Sequence, residues 1–461
     1  MNLERNKISE PDEATGRRGR PVQTRREPLA DEKIKLAWLV LLTALAMTVL
    51  EGAFRKWVFP QGGAVKYLLY FSKDIIFATI LFLPKRSQPS LALESFSNCL
   101  LPGCVLIGLG AIASCQHGFN PVGSILTIRA LIVLPVIAWL VVPRLAGLPL
   151  RWVAGLLTVF VLLNFALGME QNRLPKDHWL NHYADAEMEV VELESGVRAT
   201  GTFAYIAGLG VISTVGIWAG LALMSVARSQ WQRLWGWVAL VAGFGCGLAS
   251  ISRAPIVIAA AMVAGWLVSF RDSVSLLIRG LVMGLVCLGL AFVLGLAPAF
   301  SHLWQGLEER ANQGSDSFNQ RAFGSFGETL VALQAAPFGN GFGTEQIGGQ
   351  YYATGAAGFN HFESTLPRLV METGLLGLIG YFVVAAGVIM ALQTAKLGAS
   401  PGAKSALLAT QLFLGVMLSM GGVIFNHTAA DFVWIIFAAV LAGVGNGESR
   451  NLESRKQRPD L

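Results

Sequence analysis

The sequence predicts an all-α polytopic membrane protein of about twelve transmembrane helices, with both termini cytoplasmic and a large outer-face loop that carries an interfacial helix. Three observations predict it: an apolar composition, apolar runs recurring along most of the chain, and cations gathered in alternate turns. Of the 461 residues, 54% are hydrophobic and 14% charged, against about 25% charged in ordinary soluble domains. The net charge of +6 does not point to nucleic acid, because its position matters more than its sum. Arg17, Arg18, Arg20, Arg25 and Arg26 lie in an N-terminal arm, and Arg455, Lys456 and Arg458 lie in a polar tail. Such arms orient a membrane protein and touch anionic lipid.

Taken in order, residues 1–33 read as a disordered basic cytoplasmic arm, 34–447 as a single transmembrane domain and 448–461 as a cytoplasmic tail. No cleavable signal peptide is expected, since the first apolar run begins only near Leu36. Apolar runs follow at about 36–53, 64–83, 96–114, 122–142, 152–169, 202–226, 232–250, 254–270, 275–297, 364–393, 405–424 and 430–446. With the N-terminus inside, Lys85, Arg86, Arg144, Arg151, Arg228, Arg233, Arg271, Arg279, Lys396 and Lys404 all fall in cytoplasmic turns. Cys99, Cys104, Cys246 and Cys287 lie inside apolar runs and Cys115 ends one, without CxxC spacing, so they read as small buried hydrophobes.

Two outer segments have real length: 170–200, polar and acidic, and 298–363, rich in glycine near its end. Within the second, Phe318, Phe323, Phe326, Leu330 and Leu333 recur at near-helical spacing opposite Asn319, Gln320, Arg321 and Glu328. That pattern predicts an amphipathic helix at about 317–335, lying at the interface.

The outer-face cations are few. Arg198 opens RATGTFAYIAG, Arg253 sits in the tight turn SISRAP between two apolar runs, and Arg321 lies on the polar face of the interfacial helix. Each also fits a plainer role, snorkelling to lipid phosphate or capping a helix. Glu363 and His361 stand at the mouth of the next apolar run, where Ser364 and Pro367 mark a helix start. Either is a candidate base. Equally, Glu363 serves as a helix cap and His361 as a loop residue. Glu372, with Arg368 four residues earlier, reads as scaffold. Lys73, Asp74 and Arg129 fall within predicted spans and should face protein or a polar cavity. His178, His182 and Asp185 give only a weak metal pattern, and no metal or cofactor is expected; phosphate loops, nucleophile elbows and dinucleotide fingerprints are absent from the sequence.

Four patterns, in order, resemble the O-antigen ligase and Wzy-type polysaccharide polymerase superfamily: RATGTF at 198–203, Ser252-Arg253-Ala254, Arg321 followed by PFGNGFGT at 337–344, and ESTLPRLVMETGLLGL from Glu363. Glu363-Ser364 occupies the place of the His-Asn pair usual in ligases, so the resemblance points to a polymerase-like member and leaves the base between Glu363 and His361. It implies a bacterial inner-membrane glycosyltransferase with a periplasmic active face, metal-independent and inverting. The donor would be a glycan on undecaprenyl diphosphate and the acceptor a sugar hydroxyl of a glycan or glycolipid, with membrane lipid and a chain-length regulator as further partners. In that reading Arg198, Arg253 and Arg321 hold the diphosphate. A secondary transporter or flippase of lipid-linked or small anionic substrates is the alternative.

Overall fold

The computed structural model describes residues 28–60, 63–85, 90–145, 149–184, 190–193, 196–268, 301, 303, 305–309, 325–344, 365–397, 399–419 and 427–456. Most of what it describes is helix. Seven helices are long and apolar enough to cross a membrane: Lys35–Val58, Leu91–Ser114, Pro121–Arg144, Leu150–Arg173, Ile206–Val226, Thr365–Leu397 and Pro401–Ser419. Arg253–Leu267 and Thr428–Gly443 are shorter apolar helices. The protein is therefore a helical, multi-pass membrane protein.

Local sequence sets the helix starts. Helix α1 (Pro28–Ala53) begins inside the segment read as a disordered arm, and continues through a π-helical turn, Phe54–Val58, before α2 (Gly63–Thr79). Ser90 caps α3 (Leu91–Ser114) by accepting from the Leu93 amide. Asn120 does the same for α4 (Pro121–Ile128) through the Gly123 amide, with Pro121 where its missing N–H costs nothing. A second π turn, Arg129–Val133, joins α4 to α5 (Leu134–Val141). Then come α6 (Leu150–Arg173), α7 (Ile206–Val226), α8 (Gln230–Ala249) and α9 (Arg253–Val268). After the interval 269–324, of which little is described, α10 (Ser325–Ala335), α11 (Thr365–Leu397), α12 (Pro401–Ser419) and α13 (His427–Lys456) complete the chain. The apolar run at 275–297 lies outside the described residues.

Helix α7 is apolar all round and almost wholly buried, as a helix must be when other helices surround it. It packs on α6, α8, α9 and α12, while α11 packs along α3. Glycines permit the second contact: a Cβ on Gly110 would sit 2.3 Å from the Thr373 carbonyl oxygen, and one on Gly380 would sit 2.6 Å from that of Gly103. Away from that contact, α3 turns Leu101, Val105, Leu109 and Ile112 outward. An outward face this apolar is suited to lipid tails, not to water.

Of the helix expected at about 317–335, α10 covers Ser325–Ala335, and residues 317–324 lie outside the described residues. Thr329 and Ala332 pack inward, whereas Phe326 (66% exposed), Leu330 and Val331 face away from the protein. At a bilayer surface the apolar face turns to lipid, and small residues are left to make the protein contact. A two-stranded antiparallel ribbon, β1 (Glu192–Leu193) with β2 (Gly196–Val197), is the sheet found among the described residues.

The glycine-rich PFGNGFGT stretch fits into a break in α11. At Gly374 the backbone leaves helical geometry (φ 63°, ψ −164°), which frees main-chain groups inside the protein. The loop satisfies them: Leu375 N donates to the Pro337 carbonyl at 2.9 Å, and Asn340 N donates to that of Met371 at 2.6 Å. On its other side, Gly341 N donates to the Ser114 hydroxyl at 3.0 Å, and Phe342 forms a parallel bridge with Phe119.

Candidate functional site

Residues 198–205, which the apolar pattern placed partly within a helix from 202, are not helical; α7 begins only at Ile206. Ala199, Thr200, Thr202 and Phe203 are buried. Irregular backbone is tolerated inside a membrane protein only where neighbours satisfy it, and one face of α6 does so. Gln171 Oε1 accepts from the amides of Thr200 (3.0 Å) and Gly201 (2.7 Å). Asn164 Oδ1 accepts from the Thr202 amide at 2.8 Å. Asn172 Nδ2 donates to the carbonyls of Val197 (2.6 Å) and Ala249 (3.0 Å), tying the segment to the end of α8. From α1, Gly52 lies so close that a Cβ there would sit 2.4 Å from the Ala204 nitrogen.

Lys56 reaches the same segment. Its ammonium donates to the Thr200 hydroxyl at 2.8 Å and to the Gly201 carbonyl at 2.7 Å, and it stands 4.6 Å from the Trp57 ring. Trp57 in turn meets Trp179 edge-on at 5.9 Å.

Arg198 crosses to the turn between α8 and α9. Its Nε donates to the Ser250 carbonyl at 3.2 Å and its Nη2 to the Ser252 hydroxyl at 2.7 Å. A cation at the C-terminus of α8 sits at the negative end of that helix dipole. Ile251, buried in this turn, has φ 46°, a conformation that a β-branched residue adopts only under strain. The strained turn delivers Ser252 to Arg198 and starts α9 at Arg253. Two of the predicted cations, Arg198 and Arg253, thus belong to one junction. Close by, burial pushes the Tyr183 phenol up from 10.0, against smaller opposing effects of the Val191 amide and the Arg198 charge.

Arg321, His361 and Glu363 lie outside the described residues, as does Asp185. His178 accepts from the Leu180 amide at 3.3 Å and so caps a short helical turn. Glu372 is fully buried and accepts from the Thr127 hydroxyl at 2.5 Å, linking α11 to α4.

A second cluster of charge lies among α1, α2, the Arg129 turn and α13. Glu51 accepts from Arg55 and from Lys73, each at 2.8 Å. Lys73 lies 3.1 Å from Asp431. Arg129 forks onto Asp74, with bonds of 2.5 and 2.8 Å, and also reaches Asp431. The Tyr70 ring lies 4.8 Å from the Lys73 ammonium and 5.3 Å from the Arg129 guanidinium carbon. Lys73 and Asp431 are each 1% exposed. Lys73, Asp74 and Arg129 were marked by their place in apolar runs, but their partners Glu51 and Asp431 were not. The same signal, an ionisable residue inside a span, was available for both. Each π turn supplies one arginine of this network, Arg55 and Arg129, and such turns are frequent at functional positions.

Comparison with protein-family models and with curated proteins found no match. Chemically, the half-buried Arg198 guanidinium and Ser252 hydroxyl, with the Lys56 ammonium bound to the neighbouring Thr200, bring together donors of the kind that bind anions.

Proposed function

We propose that the protein is a glycosyltransferase of the O-antigen ligase and Wzy-type polymerase superfamily, acting at the periplasmic face of the bacterial inner membrane. The observation that carries this reading is the meeting of Arg198 with the Ser250 to Arg253 turn, because it joins two otherwise separate cations of the resemblance. The donor is a glycan on undecaprenyl diphosphate. An acceptor sugar hydroxyl attacks the anomeric carbon from the side opposite the diphosphate. As the new C–O bond forms, the bond to the diphosphate oxygen breaks with inversion, and the hydroxyl proton passes to Glu363 or His361. Negative charge grows on the departing undecaprenyl diphosphate, where Arg198 and Arg253, with Arg321, offset it without a metal. The full topology in this reading has twelve spans and both termini in the cytoplasm, which keeps the turn cations inside.

The test is turnover by purified protein in detergent. An undecaprenyl-diphosphate oligosaccharide should give longer glycans, and either Glu363→Gln or His361→Asn should abolish them. Retained activity in both variants contradicts the base assignment.

A transporter or flippase is the second reading, favoured by one observation: the ion network of Glu51, Lys73, Arg129 and Asp431 is buried where α1, α2 and α13 meet. Substrate flux through proteoliposomes without any change in glycan length would establish it in place of glycosyl transfer.

A further inference from the structure

Among the described residues the ion network is balanced. Arg55, Lys73 and Arg129 face Glu51, Asp74 and Asp431, three cations against three carboxylates. Lys56 stands outside that balance. It follows Arg55 on the same π turn, and the two side chains part company: Arg55 pairs with Glu51, whereas Lys56 is bound to Thr200 and Gly201. At 2% exposure, its ammonium is shielded from water, and the described partners that replace water are a hydroxyl, a carbonyl and an aromatic ring. None of them carries a negative charge. Burying an ammonium without a counter-ion is costly, and among the described residues three neighbouring cations are matched with carboxylates while this one is not.

The position of the surplus is informative. Thr200 is two residues from Arg198, which is at most about 7 Å of extended chain. Lys56 is therefore bound to the segment that presents Arg198 to the Ser252 turn. In surroundings of low dielectric, a charge near a bound anion acts on it appreciably without touching it.

We propose that Lys56 is a positioning residue of the donor site that also supplies charge: it fixes the Thr200-Gly201 turn beneath Arg198, and the diphosphate of a lipid-linked donor supplies the negative charge that favours its protonated form. This rests on the glycosyl-transfer reading of the Arg198 junction. It adds a cation that lies far from the resembling motifs, at the end of the first helix.

The experiment uses the full-length protein in phosphate-free detergent and compares equilibrium binding of undecaprenyl diphosphate with that of undecaprenol, alongside thermal unfolding. Lys56→Gln keeps an N–H donor for Thr200 and Gly201 but loses the charge. Thr200→Asp keeps the charge and places a carboxylate against it. Both variants should bind undecaprenyl diphosphate about tenfold more weakly or worse and undecaprenol as wild type does, while Lys56→Arg retains most of the diphosphate affinity. Thr200→Asp should also unfold at a higher temperature than wild type, because it completes an ion pair. A purely structural lysine does not give greater stability together with weaker diphosphate binding. If Lys56→Gln is not recovered folded, Thr200→Asp decides alone. Should wild type prefer the diphosphate and Arg253→Ala lose that preference while Lys56→Gln and Thr200→Asp keep it, the role of Lys56 is overturned and the diphosphate site stands. If wild type binds the diphosphate no more tightly than undecaprenol, the glycosyl-transfer reading itself fails, and the inference with it.

Discussion

Arg198 donates to the Ser252 hydroxyl across 2.7 Å, although 54 residues separate them in sequence. That bond, with the companion to the Ser250 carbonyl, holds the guanidinium against the start of α9 and brings Arg253 to the same junction. An arginine suits this place because its planar fork addresses two oxygens at once.

Removing the fork should therefore cost more than removing its anchor. Arg198→Ala is expected to lower turnover of a lipid-linked oligosaccharide by about 100-fold or more, the usual effect of deleting a group that offsets transition-state charge. Ser252→Ala loses one hydrogen bond, worth about 1 kcal/mol, and is expected to cost about fivefold. Equal losses in steady-state assays of the two variants would mean that the guanidinium does not act on the leaving group.

The buried network should respond to charge balance more than to the number of bonds. Asp431→Asn leaves Lys73 and Arg129 short of a carboxylate that both contact, and is expected to destabilise the fold by about 3–5 kcal/mol. Replacing Lys73 and Asp431 together by Met and Leu leaves the Arg55 and Arg129 pairs intact. The double variant should then lose less than Asp431→Asn alone. Thermal unfolding in detergent reads both.

Gly374→Ala should be among the most damaging small substitutions. Its φ of 63° disfavours any side chain, and a Cβ would sit 2.6 Å from the Pro337 carbonyl oxygen. Strain of this kind costs about 1–3 kcal/mol before the clash is counted. A lowered unfolding temperature and a lower yield of folded protein are expected, whereas Gly108→Ala, with open space around its Cβ position, should be near neutral.

Tyr183 makes the fold sensitive to alkali. Its phenol is raised above 10.0 chiefly by burial, so the folded protein keeps that proton at a pH where the unfolded chain has released it. The associated stability is present below about pH 10 and is lost as pH rises beyond it. Unfolding followed against pH should show a steeper alkaline decline in wild type than in Tyr183→Phe.

Much of this architecture was legible because lipid imposes a simple rule: long apolar runs become helices, and most of the expected runs coincide with helices. The departures share one cause, polar side chains that satisfy backbone far away in sequence. Residues 202–205 are apolar enough to be read as helix, yet Asn164, Gln171 and Lys56 hold the preceding turn in another shape. Glycine content marked PFGNGFGT as a loop, but nothing local shows that it fills the break at Gly374. Arg198 and Arg253 could be picked out singly as rare outer cations; their meeting through Ser252 depends on how α6 and α8 pack. Lys56 escaped notice because a lysine at the end of an apolar run ordinarily reads as a flank reaching for water.

The most direct test of the central claim is release of undecaprenyl diphosphate from an undecaprenyl-diphosphate oligosaccharide by the purified protein, with a chelator and an acceptor glycan present. Glycosyl transfer predicts one undecaprenyl diphosphate released for each glycosidic bond formed, at a rate that collapses in Arg253→Ala. Undiminished release by Arg253→Ala, or no release by the wild-type protein, would contradict it.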